Sequence, residues 1–300
     1  MAEAIHPYLQ MLISRVPSSL GSYEPILKEV EAVLNNPQSN LLNVGEVIER
    51  DPDLTARLLR LGNSSFYGFP SRLETVSEAI SLIGIRQVQD LMIASSVVEV
   101  FAGVSAEFVD MESFWKHSLA CGIGTRLLAI AKRVPKPDKF FVAGLLHDVG
   151  RLVLFSQAPQ KTQRVFETYR SKRMLLRTAE VQVLGFDHAE IGQALLRSWK
   201  YPNNLIQAVS YHHHPLAAEA FQTEAAFVHV ADHLVNAMQM GSSGERFVPA
   251  LQAKAWAQLN LSSDIIGQVM DSIDHQIEAV QEVFLSSKRT ASPAAPKPPA

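Results

Sequence analysis

Cysteine is almost missing. Cys121 is the only one in 300 residues, so no disulfide can form within the chain and a reducing compartment is expected. Its setting, LACGIG, reads as that of a buried small residue rather than a nucleophile. Positive charge is not in excess either. The 27 Lys and Arg against 30 Asp and Glu leave a formal charge of −3, and the basic pairs Lys132-Arg133 and Lys172-Arg173 are short, which excludes nucleic acid as an expected direct ligand. No uninterrupted apolar run reaches about 18 residues. The opening MAEAIHPYLQ lacks the charged-then-apolar pattern of an export signal, so a cytosolic protein with no membrane segment is the expectation. Period-two alternation with hairpin chemistry is absent, as are internal repeats. What is present, 47% hydrophobic and 19% charged residues, suits a packed globular chain of one large or two ordinary domains.

The apolar positions recur at three and four residues almost throughout, and the spacing predicts an all-α protein. Residues 1–22 read as a mixed arm with a short helix. The first half, 23–106, holds helices over Tyr23–Leu34, Val44–Glu49, residues 54–63, one opened by Thr75 or Ser77 and ended by Gly84, and 85–103. The loop NSSFYGFP (63–70) carries three aromatics and is expected to fold back onto the core, with a partner surface as the less favoured reading. The second half, 107–240, opens with a long helix capped by Asp110, and Asp138 is expected to cap the next. Further helices are expected over Gln160–Ser171, Thr178–Leu184, His188–Lys200, Asn203–His212 and Glu224–Met240. Gly241-Ser242-Ser243-Gly244 reads as a flexible break before an extension, 241–285, whose amphipathic helix spans Asp264–Phe284. Residues 286–300 are a Pro/Ala-rich tail with nothing to bury.

One stretch organises the rest. The run FFVAGLL ends in His147 and Asp148, followed by Gly150 and Arg151. Burying an imidazole and a carboxylate there costs several kcal/mol unless each finds a partner, so the doublet is either an internal hydrogen-bonded pair or part of a metal site. Its company favours the second reading. His117, His147-Asp148, His188, His212-His213-His214 and Asp232 each lie on or at the end of an expected helix, and bundle cores are where facing helices converge ligands. His229, Asp232 and His233 share one helix face. Trp199 is expected in the core, and His6 and His214 in solvent.

The stretches DPDLTARLLRLGNSSFYG, ETVSEAISLIGIRQVQDL, FWKHSLA, AGLLHDVGRLVL, GFDHAEIGQALLRSW and HHHP make residues from about 25 to 232 resemble the HDOD family, the HD-related output domain of bacterial signalling proteins. That family is an offshoot of the HD superfamily of metal-dependent phosphohydrolases. The resemblance implies an HD-type helical subdomain with an N-terminal helical subdomain packed on it. It also implies one or two divalent cations, Fe, Mn or Zn, held by His117, His147, Asp148, His188, His212, His213 and Asp232, with Asp148 as the natural bridge. It leaves His229 and His233 outside the ligand set. The Gly-Tyr-Pro signature of the cyclic-dinucleotide-cleaving branch is absent, and Arg151 stands where that branch often has lysine. Two functions therefore compete. One is a protein-interaction output module acting on other signalling proteins. The other is a phosphohydrolase acting on a nucleotide or cyclic dinucleotide, with Asp148 and Arg151 in catalytic roles. A homodimer through the C-terminal helix stays open.

Overall fold

The computed structural model describes residues 6–17 and 24–285, and among these every regular element is helical. The expected tail and parts of the expected N-terminal arm lie outside the described residues. The first helices are α1 (Pro7–Ser14), α2 (Glu24–Leu34), α3 (Leu41–Glu49), α4 (Pro52–Gly62), α5 (Val76–Ile83) and α6 (Ile85–Val100). Their starts are fixed locally. The Asn40 side chain accepts from Leu42 and Asn43, Asp51 accepts from Leu54 beside Pro52, and Thr75 forms a reciprocal box with Glu78. Each such cap contributes about 1 kcal/mol. Helices α2 to α6 enclose a core of Val30, Val44, Ile48, Leu58, Ile80 and Met92.

The second core is larger and forms around α7 (Met111–Ala131), which Asp110 opens by accepting the Ser113 N–H at 2.7 Å. Small residues along α7 let α8 (Lys139–Leu146), α14 (Gln222–Ala237) and α16 (Ile265–Leu285) pack against it. Between α8 and α14 come α9 (Val149–Gln157), α10 (Pro159–Lys172), α11 (Leu176–Leu184), α12 (His188–Ser198), α13 (Asn203–Ser210) and a 3-10 turn at Pro215–Ala217. The expected doublet helix is thus two helices, with His147 and Asp148 at the junction. The span Lys139–Gln157 is long and apolar enough to cross a membrane, but 89% of it is buried inside the protein. Helix α16 buries Val269, Ile273, Ile277, Val280 and Phe284, and also contacts α4 and α6, so the C-terminal segment joins the two cores.

Two local expectations need correction, and one helix was unforeseen. Asp138 precedes α8 but makes no capping hydrogen bond, because its carboxylate accepts from Arg126 at 2.5 Å. That guanidinium also lies 4.3 Å over the Phe66 ring, and Phe66 is buried against Phe141, which is how the 63–70 loop reaches the core. The short helix α15 (Ala253–Leu259) was hidden by its weak apolar spacing. The segment around Gly241–Gly244 is not a free break. Gly241, at φ +68°, lies so close to α7 that a β-carbon would meet Ser113 O at 2.2 Å and His117 N at 2.7 Å.

Candidate metal centre

The candidate ligands come from α7 (His117), the α8–α9 junction (His147, Asp148), the first residue of α12 (His188), the segment after α13 (His212, His213) and α14 (Asp232). The fold brings all seven together, and all except half-buried His213 are buried. Gly150 makes this convergence feasible. A β-carbon there would fall 2.0 Å from His188 O, so only glycine allows α9 to approach α12 this closely.

The imidazoles are oriented from behind. His147 Nδ1 donates to Gly144 O at 2.7 Å and His212 Nδ1 to Val209 O at 2.7 Å. His188 Nδ1 donates to the buried Glu180 carboxylate at 2.5 Å, and the same carboxylate accepts the His188 backbone N–H at 2.9 Å. In all three rings Nε2 is left facing the interior. His147 Nε2 lies 3.3 Å from Asp148 Oδ2 and 3.6 Å from Asp232 Oδ1, yet makes no properly directed hydrogen bond. His117 Nε2 is 3.2 Å from Asp232 Oδ1, and His188 Nε2 is 2.9 Å from Asp148 Oδ1 and 2.9 Å from His213 Nε2. The groups fall into two sets, His117, His147 and Asp232 on one side and His188, His212 and His213 on the other. Asp148 turns one oxygen to each.

Electrostatics describe a site with too much buried negative charge for its own protons. Burial works against protonation of His147, but Asp148 beside it and Asp232 outweigh this and hold the imidazole up at about 10. Burial and Arg151 oppose protonation of His188, while Glu180 and Asp148 raise it to about 9. Burial would raise the Asp148 carboxyl, but Arg151, then His147 and His188, hold it well below the usual range. Burial would likewise raise the Asp232 carboxyl, but His117 and His147 beside it hold it well below the usual range. Burial and its charged neighbours His147 and His188 push His212 down to about 3, and burial and His212 depress His213. The residues fit divalent cations. Neutral His212 and His213 offer lone pairs, the carboxylates are ionised, and His147 and His188 carry protons at the positions where a cation would supply the charge.

Glu180, Ser243, Asn236 and Gln252 contribute without being legible in the sequence, and they engage Arg151, Asp232, His229 and His214, which are legible there. Glu180 pairs with His188 and, at 3.3 Å, with Arg151. Arg151 Nη1 lies 3.0 Å from Asp148 Oδ2 and donates to Ser243 Oγ in the segment after α14. Asn236 donates to Asp232 Oδ1 at 2.7 Å. His229 is buried; its Nδ1 donates to His212 O at 2.8 Å, and its Nε2 accepts the Gln252 backbone N–H at 3.1 Å. Exposed His214 is held between Arg177 and Gln252. Residues 241–252 thereby form a strap over the centre, leaving a cavity of about 190 Å³ lined by Asp148, Arg151, Arg177, His213, Asp232, His233 and the strap. Burial holds the Cys121 thiol well above its usual range, and Asp232 and Asp148 add to the effect.

Fold and site together define an all-helical protein with a buried His/Asp cluster that could hold a metal ion. The HDOD domain profile matches residues 20–215, and the chain belongs to that family. An uncharacterised protein of Treponema pallidum is 26% identical over 200 residues, covering 65% of this chain and 38% of that protein, so the match spans well under half of the relative. Among solved structures, an HDOD domain protein of unknown function from Geobacter sulfurreducens is similar, with a TM-score of 0.75, 23% identity, and 92% of this chain and 97% of that one covered. A protein from Shewanella amazonensis, named as a candidate phosphohydrolase, follows at TM-score 0.69 and 24% identity, covering 93% and 98%. One from Marinobacter aquaeolei, named as a candidate signal transduction protein, has TM-score 0.67 and 19% identity, covering 92% and 64%. These likenesses establish the fold.

Proposed function

We propose that this protein is a cytosolic bacterial signalling module that holds one or two divalent cations, Fe, Mn or Zn, and acts by contact with other signalling proteins. The observation that carries the metal reading is the tautomer pattern. His147, His188 and His212 each tie Nδ1 to an acceptor behind the ring and turn Nε2 toward Asp148 and its neighbours. Cations bound there would supply Lewis-acid polarisation and an activated hydroxide. The chain's own residues do the positioning. Glu180 orients His188, Asn236 orients Asp232, and Asp148 faces both histidine sets.

A contact-based output is favoured over turnover because the mouth is occupied by protein. Arg151 is engaged by Asp148, Glu180 and Ser243, and the 190 Å³ beside it is less than the roughly 300 Å³ at which ordinary small-molecule sites begin. A cyclic dinucleotide does not fit without displacement of the strap. The Marinobacter relative's description as a signal transduction protein points the same way.

Phosphohydrolysis is the second reading, favoured by one feature. Asp148, Arg151 and Arg177 all line the cavity, and two arginines beside it suit a phosphate-sized anion. Elemental analysis of untagged, chelator-free protein, combined with assays on cyclic dinucleotides and generic phosphodiesters, separates the two. Metal without turnover supports the module. Turnover that disappears in His147→Ala and Asp148→Ala establishes the hydrolase. No metal after anaerobic, metal-replete purification overturns the metal centre itself.

A further inference from the structure

Cys121 lies one helical turn after His117 on α7, is fully buried, and has its Sγ 3.6 Å from His117 Nε2. Neighbourhood at i, i+4 alone would explain that contact. It does not explain the rest of the arrangement. Ligand-type atoms of His117, Cys121, His147 and Asp232 all lie within 4.8 Å of one another, although they come from three separate parts of the chain. Within this group His147 Nε2 is buried without a hydrogen-bond partner.

The separations can be compared with those a single ion demands. Metal–nitrogen and metal–oxygen bonds of about 2.0–2.1 Å and a metal–sulfur bond of about 2.3 Å, spread tetrahedrally, place N and O ligands about 3.4 Å apart and N and S ligands about 3.6 Å apart. His117 Nε2 to Asp232 Oδ1 is 3.2 Å, His147 Nε2 to Asp232 Oδ1 is 3.6 Å, and His117 Nε2 to Cys121 Sγ is 3.6 Å. All three match.

We propose that Cys121 is a thiolate ligand to the cation on the α7 side, joining His117, His147 and Asp232. This rests on the metal reading above. Binding exchanges the S–H bond for a sulfur–metal bond and releases the proton to solvent. A soft sulfur donor selects Zn, Fe(II) or Co(II) over Mg and Mn, and confines that preference to one of the two positions, since His188, His212 and His213 offer only nitrogen.

Cobalt(II) loading tests this without any activity assay. Because the chain has one cysteine, a sulfur-to-cobalt charge-transfer band in the near ultraviolet can arise only from Cys121. The wild type should show the band together with visible ligand-field bands. Cys121→Ala, checked for native helicity, should keep the visible bands and lose the ultraviolet one, with the preference for Zn over Mn falling by at least about tenfold. Bound cobalt without the ultraviolet band, or a band that survives Cys121→Ala, overturns the ligand role and leaves the metal centre standing. Failure to bind cobalt at all overturns both.

Discussion

At the scale of the residue, the centre separates into side chains that advertise themselves and side chains that do not. The His147-Asp148 doublet and the run at 212–214 are adjacent in the sequence and were legible, as were His117, His188 and Asp232 through their surroundings. Glu180 was not, because it lies in an ordinary helical stretch and acquires its role only when α11 meets α12. Its removal is nonetheless consequential: Glu180→Gln should weaken metal affinity about 10- to 100-fold, measured by chelator competition, because His188 loses the carboxylate that fixes its tautomer. Proton linkage gives a second expectation. In the metal-free protein His147 is raised to about 10 and His188 to about 9, so at pH 7.5 both are protonated and a cation must displace those protons. Affinity should therefore rise with pH across the neutral range and level off only near pH 9–10. Titration calorimetry in buffers of different ionisation enthalpy should register protons released on binding.

Elements decide whether those residues can meet. Helical periodicity made most of the helices readable, including their caps at Asp110 and Thr75. It could not reveal that Asp138 would serve Arg126 rather than a helix end, or that a Gly/Ser segment would be pinned rather than loose, since both depend on partners far away in the chain. The α9–α12 contact is the most sensitive of these meetings. Gly150→Ala places a methyl against backbone that cannot retreat, so it should lower stability by about 1–3 kcal/mol or more in urea unfolding and disturb His188 with it. The strap offers a converse case. Arg151→Met leaves Asp148 and Glu180 buried without their cation, and should cost the metal-free protein about 3–5 kcal/mol. Zinc loading should recover part of that loss, because a metal ion takes over the charge on Asp148. Urea titrations with and without zinc measure both numbers.

The whole molecule is held together across its midline by Arg126, which binds Asp138 and covers Phe66, and by α16, which reaches both cores. Cations bound there add a further tie, since the ligands of the centre as a whole come from five separate segments. Saturating metal at about 1,000 times its dissociation constant should raise stability by about 4 kcal/mol, visible as a reversible fall in melting temperature when a chelator is added. The matched family region ends at residue 215, whereas Asp232, Asn236, Ser243, Gln252 and α16 all lie beyond it. A fragment cut at that boundary would keep the recognisable signature yet lack a carboxylate of the centre, the cover over its mouth and the helix that closes the larger core. The stretch that carries the family signature is therefore smaller than the unit that must fold, and expression boundaries drawn from the first would yield an open, ligand-poor remnant of the second.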